Sequence, residues 1–190
     1  IKNEKSLRFI FIPETIGSIA FLSQNFYKLK KNVIGGYNLS CIGDNRMHSC
    51  ILSKYGNSPS DCALIEAYKD LKIKYKRFSF LKRGSDERQF NSPGIDFPIT
   101  SIFRSKYGEY KEYHTSLDNF KLVSFRGIKG GYSVALKAIQ NLNRKIIPKS
   151  KITCEPFLSK RNLKSKNLKL KDLKSTILHF LQYSDGKNDL

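Results

Sequence analysis

A chain of 190 residues is one domain, or part of one with an appendage. Its 39% hydrophobic content, with 13 Phe and 10 Tyr, supports a packed core and excludes a disordered chain. The formal charge of +19 invites phosphate binding by counterion release. The excess is mostly Lys among abundant Asn and Ile, however, which is the usage of an AT-rich genome rather than of a designed phosphate-binding face, so nucleic acid is disfavoured as a partner.

Leu7 to Ile12 (Leu-Arg-Phe-Ile-Phe-Ile) is an apolar run of strand length, expected as a central strand covered on both faces and stopped by Pro13. Ile16 to Leu29 has helical spacing, with Ile16, Ile19, Ala20, Leu22 and Phe26 roughly on one face. Asn32 to Ile42 is expected as a second buried strand, weakened or bulged at Gly35-Gly36, followed by a polar loop to about Pro59. Ser60-Asp61 can cap a helix running to about Leu71, with Ala63, Leu64, Ala67 and Tyr68 facing inward. Tyr75 to Phe80 and Pro98 to Phe103 read as strands, and Tyr132 to Leu142 as a helix. Strands alternating with helices predict an α/β fold, a three-layer sandwich with a mostly parallel or mixed sheet.

From Arg144 the character changes. Residues 146–167 are Pro-, Ser- and Lys-rich without a period, a basic extended connector. Residues 168–190 regain helical spacing through Leu170, Leu173, Ile177, Leu178 and Leu181. The division is therefore 1–145, 146–167 and 168–190. Cys41, Cys50, Cys62 and Cys154 match neither a Cys-x-x-Cys metal pair nor a dense disulfide framework, so they read as reduced thiols of a cytoplasmic protein. No apolar run approaches the roughly 18 residues of a membrane span, and no membrane partner is expected. Ile1-Lys2-Asn3-Glu4 carries neither an initiator Met nor a signal pattern, which reads as truncation.

In sheets of this class reactive groups gather beyond the carboxyl ends of strands. Glu14 follows the first expected strand, Asp44 the second, Asp86 and Glu87 the third, and His114 the fourth. Arg83, Arg88 and Arg104 bracket the same ends and could clamp an anionic group or form ordinary salt bridges. Tyr110 and Tyr113 could line a pocket or simply pack. His48 and His179 lack partners at ligand spacing and read as structural.

Three blocks in order carry a family resemblance: Phe11-Ile12-Pro13-Glu14-Thr15-Ile16-Gly17, then Asn38-Leu39-Ser40-Cys41-Ile42-Gly43. The third is Ser85-Asp86-Glu87-Arg88-Gln89-Phe90…Gly94-Ile95…Pro98, followed by His114-Thr115-Ser116-Leu117-Asp118. Over about residues 5–125 the chain resembles zinc-dependent exopeptidases of the bacterial aminopeptidase kind, in particular an aminopeptidase-like branch ending in a winged-helix module. The resemblance implies a phosphorylase/hydrolase-like sandwich, incomplete at the N-terminus, that cleaves a peptide or small amide with a metal-activated water. It implies Glu14 as the general base and His114 as a metal ligand. Co-catalytic members place ligand carboxylates where this chain has Thr15 and Ser40, and neither hydroxyl is a normal zinc ligand. The resemblance thus implies one zinc ion, its remaining ligands upstream of residue 1. Asp44 could restore a carboxylate to the site or be a turn residue, and Asp86 orients other groups. The rival expectation is a degenerate, non-catalytic scaffold acting as a binding or regulatory module. A homo-oligomer is left open.

Overall fold

In the computed structural model, residues 5–144, 148–158 and 170–187 are described. They fall into two units, Ile1–Arg144 and Lys145–Leu190.

The first unit is built on four short strands: β1 (Gly36–Leu39), β2 (Ser49–Ile51), β3 (Lys76–Phe78) and β4 (Ile99–Phe103). Their spatial order is β1-β4-β2-β3. The β1–β4 and β2–β3 pairs are parallel, whereas β2 runs antiparallel to β4. The sheet is therefore mixed, and the carboxyl ends of β2 and β3 lie at the opposite edge from those of β1 and β4. Polar groups following β3 reach the β1/β4 pair only because the chain doubles back after it.

Two helices cover one face: α2 (Pro59–Asp70) and α4 (Phe125–Arg144). Cys50, Leu52 and Ile102 of the sheet region pack there with Leu64, Ala67, Tyr68, Val134, Ala135 and Ala138. The inward face expected for α2 is borne out, since Ala63, Leu64, Ala67 and Tyr68 are all buried. Its start is corrected. Ser58 rather than Ser60 is the cap, Pro59 takes the first helical position, and Asp61 closes a reciprocal capping box with Ser58. The Asp61 carboxylate also accepts from Ser53 and from Thr100 of β4, so one buried acid fixes helix to sheet. Along α4, Gly127 sits so close to the Gly43 and Asp44 carbonyls that a larger side chain would block the approach, and Gly131 lies beside Ile42.

The other face carries α1 (Ile16–Asn32) and the single-turn α3 (Glu87–Phe90). Leu22 and Leu29 of α1 bury against Phe97, with Phe90, Ile95 and Ile99 around them. Ile51, Phe78, Phe103 and Tyr107 fill the rest of this face. The result is the three-layer arrangement that the alternation of elements implies.

Three expectations are corrected. Leu7–Ile12 forms no strand, and Leu7, Phe9, Ile10 and Phe11 are exposed, Phe11 at 94%. An apolar strand is stable only with neighbours on its hydrogen-bonding edges, and among the described residues none pairs with this one. For α1, Leu22 is buried and Phe26 packs beside it as expected, but Ile16, Ile19 and Ala20 are exposed, and Ser18 and Leu29 complete the buried stripe instead. β2 lies inside the stretch expected as a polar loop; three residues are too few to show a period.

In the second unit the described residues form α5 (Leu170–Gln182) and an isolated antiparallel bridge between Lys149 and Asp185. Much of the expected connector, and the first residues of the expected terminal helix, lie outside the described residues. One helix and one bridge do not amount to a winged helix. No helix among the described residues is long and apolar enough to cross a membrane.

Candidate active site

The site grows from two adjacent acids, Asp86 and Glu87, at the start of α3. Asp86 points toward the N-terminal segment, where its Oδ1 accepts the Thr15 N–H at 2.7 Å and the Ser18 hydroxyl at 2.7 Å. Thr15 has a left-handed φ of 63° and no side-chain cap bond of its own. Asp86 thus serves the start of α1 from outside, satisfying an amide that the helix itself leaves open. Arg88 donates to the Thr15 hydroxyl at 2.8 Å. Together these contacts fix the backbone that carries Glu14.

Glu87 points the other way, into the sheet, and is fully buried. Its Oε1 accepts from the amides of Gly84 and Ser85 at 2.9 and 3.1 Å and from the Tyr107 hydroxyl at 2.6 Å. Its Oε2 accepts from Asn38 Nδ2 at 3.1 Å and Ser101 Oγ at 3.0 Å. Burial alone would raise the Glu87 pKa, but the hydrogen bonds from Tyr107, Gly84 and Ser85 together bring it below the ordinary carboxylate value. The Tyr107 phenol moves the opposite way, up, through burial and this same bond.

From Tyr107 the contact continues outward. Its ring lies 6.2 Å from that of Tyr113, and Tyr113 stacks on His114 at 4.0 Å with 20° between planes. Tyr110 meets Tyr113 edge-on at 5.7 Å. Burial, and then the Glu14 carboxylate, push the Tyr113 phenol above its usual range. Glu14 is therefore close enough to Tyr113 to act on its phenol. His114 is exposed and holds a left-handed φ of 57°.

Asp44 and Arg104 form a separate, buried cluster. Asp44 accepts the Ser105 amide and hydroxyl and the Arg46 amide. Arg104 donates to the Asp44 carbonyl at 2.9 Å and to Asn45 Oδ1 at 3.0 Å, and its Nη1 faces His48 Nε2. At 4% exposure this guanidinium is spent on the protein's own groups. Burial, and then Arg104, bring the His48 pKa down to about 4. The Arg46 guanidinium grips Glu112 through two bonds of 2.9 and 2.8 Å, two residues before His114.

Of the residues singled out in the sequence, Asp86 and Arg88 meet Thr15, next to Glu14, while Glu87 is linked through Tyr107 to Tyr113, Tyr110 and His114. The structure places Asp44 and Arg104 in the neighbouring cluster. Tyr107, Asn38 and Ser101 had no role in the sequence reading. Asn38 stands in one of the three blocks, but nothing marks Tyr107 or Ser101. Among the described residues no three His, Cys, Asp or Glu side chains come together as a metal-ligand set. His114 is one imidazole and does not hold zinc alone.

Similarity to known proteins bears on the same region. A family model described as a domain of unknown function, DUF4910, matches residues 1–145. A Clostridium acetobutylicum protein, provisionally named for polysaccharide biosynthesis and for an aminopeptidase-like domain, is 36% identical over 194 residues. That match takes in 100% of this chain and 44% of the relative, so the chain spans under half the relative's length. A crystal structure from C. acetobutylicum, provisionally called a peptidase, superposes with a TM-score of 0.74 at 35% identity, over 100% of this chain and 42% of that one. A zinc aminopeptidase from Bacillus subtilis superposes with a TM-score of 0.53 at 15% identity, over 66% of this chain and 32% of its own, a likeness of fold alone.

Proposed function

The chain belongs to the DUF4910 family of domains of unknown function, and on that footing we propose that it is part of an aminopeptidase-like hydrolase. One observation carries this reading. Asp86 and Glu87, neighbours in sequence, hold respectively the loop bearing Glu14 and the aromatic chain leading to His114. The positions that the sequence blocks imply for the general base and the metal ligand both connect, through neighbouring residues, to this one turn. Such second-layer support is what keeps reacting groups in productive geometry.

In this reading Glu14, exposed and close enough to Tyr113 to act on its phenol, takes a proton from water and returns it to the leaving amine. His114 is the one ligand this chain contributes to a single zinc ion. The ion would supply Lewis acidity, and its remaining ligands are not among the described residues of this chain. Thr15 and Ser40 fit a one-metal site, since the Thr15 hydroxyl accepts from Arg88 and the Ser40 hydroxyl leans on Cys41. The substrate is a peptide or a small amide. The family resemblance does not distinguish them, and the relative's provisional name leaves room for an amide on a polysaccharide precursor.

Glu14→Gln in the intact protein is the test. Hydrolysis of aminoacyl amides should fall by about a thousandfold with zinc content unchanged, as expected for loss of a general base. Unaltered turnover would overturn the assignment. The hydroxyls of Thr15 and Ser40, where co-catalytic relatives place ligand carboxylates, favour a second reading, a binding or regulatory scaffold. On that reading the intact protein holds no zinc and shows no turnover at all.

A further inference from the structure

A cleft of about 480 Å³ opens at the start of α4, between Asn45, Arg46, Lys121, Leu122, Phe125 and Arg126. Three cations line it and no acid does. Arg46 is partly neutralised by Glu112. Lys121 and Arg126 are exposed, and neither forms an ion pair among the described residues. Cations gathered around a concavity focus a positive potential there and concentrate anions in it.

The backbone adds to the field. The first turn of α4 contains no acidic residue. Ser124 Oγ accepts the Gly127 amide, while the amides of Phe125 and Arg126 meet no protein acceptor among the described residues. Two free N–H groups at the positive end of a helix of 20 residues thus join two free side-chain cations. A carboxylate, with one charge, would leave part of this set uncompensated, whereas a phosphate monoester dianion matches it. The Phe125 ring, 79% exposed, and the half-buried Leu122 supply an apolar wall beside the cations.

We propose that this cleft binds the phosphoryl group of a small phosphomonoester, with Phe125 against the ligand's apolar body. The site stands on residues separate from Glu14 and His114, and it goes beyond the hydrolase reading without resting on it. Free phosphate and an esterified phosphate share the oxyanion contacts, and Phe125 separates them.

Calorimetric titration of the intact protein with phenyl phosphate, inorganic phosphate and benzoate at low ionic strength tests this. Phenyl phosphate should saturate at one per chain, and benzoate should bind at least about tenfold more weakly. Lys121→Ala combined with Arg126→Ala should weaken phenyl phosphate by tenfold or more on the order expected for charge-assisted bonds. Lys129→Ala, on the same helix but outside the lining, should change it less than about twofold. Phe125→Ala should weaken phenyl phosphate and spare inorganic phosphate. All the substituted side chains are exposed, so the variants should keep the parent's circular dichroism. Benzoate binding as well as phenyl phosphate, or the double variant binding like the parent, would overturn the proposal. So would equal losses in the double variant and Lys129→Ala, because general surface charge would then explain the binding.

Discussion

Glu87 should govern the stability of the whole site, because one buried carboxylate satisfies five donors from four segments. The Ser101 and Tyr107 hydroxyls can rotate to other acceptors, but the Gly84 and Ser85 amides cannot. Glu87→Ala strands those two N–H groups, each costing about 1–3 kcal/mol, and loses the charge-assisted Tyr107 bond. The sum is about 4 kcal/mol. Glu87→Gln keeps the volume and one carbonyl oxygen but turns an NH2 toward existing donors, and should cost about 2 kcal/mol. Urea denaturation read by circular dichroism measures both, with an unchanged m-value if the native fold is kept. The pH dependence provides a second reading. Because the folded Glu87 pKa lies below its ordinary value of 4.5, the unfolded chain takes the proton first as the solution is acidified. The contribution is complete above about 4.5 and is lost as pH falls through the lower folded value. The Gln variant should therefore lose less stability than the parent below pH 4.5. A cost under about 1 kcal/mol for Glu87→Ala, or an acid dependence identical in parent and Gln variant, would refute the reasoning.

Two further outcomes concern Gly127 on α4 and the enclosed His48. Gly127→Ala improves helix propensity by about 1 kcal/mol, but its Cβ meets the carbonyl oxygens of Gly43 and Asp44, backbone that cannot swing away. Overpacking should win by about 2 kcal/mol net, so a variant melting at or above the parent would contradict the packing described. His48, held at about pKa 4, should titrate by NMR near that value. Since the unfolded chain binds this proton first, His48 lowers stability as pH falls from 6.5 toward 4, and adds no further loss below. A midpoint near 6.5 would show that the imidazole is not enclosed.

Helical elements were the more legible part of the fold. The period of Ala63, Leu64, Ala67 and Tyr68 survives because α2 buries a wide stripe against sheet and helix. Strand identity was poorly legible where pairing decides it. Leu7–Ile12 has strand composition, yet composition does not supply a neighbour, and the segment lies in irregular backbone. Conversely, Ser49–Ile51 has too little sequence to announce itself and becomes a strand because β3 and β4 lie on either side. At the site, the blocks containing Glu14, Asp86 and His114 were legible as blocks. The opposed orientation of Asp86 and Glu87 was not, because it depends on where Tyr107 and Thr15 arrive from segments distant in sequence. From its place after a strand Arg104 reads equally as an anion clamp or an ordinary salt bridge, and only burial shows its donors committed to Asp44, Asn45 and His48.

The unpaired run from Leu7 to Phe11 bears on how the molecule behaves in bulk solution. Its exposed Leu and Phe side chains form an adhesive stretch, and among the described residues β1 presents a backbone edge paired on one side only. The net charge of +19 opposes association, and it acts over a distance that shrinks from about 10 Å at 0.1 M salt to about 3 Å at 1 M. Colloidal stability of this chain is therefore an electrostatic property. Salt, which disperses many charge-driven aggregates, here removes the repulsion that keeps the apolar segments of separate molecules apart.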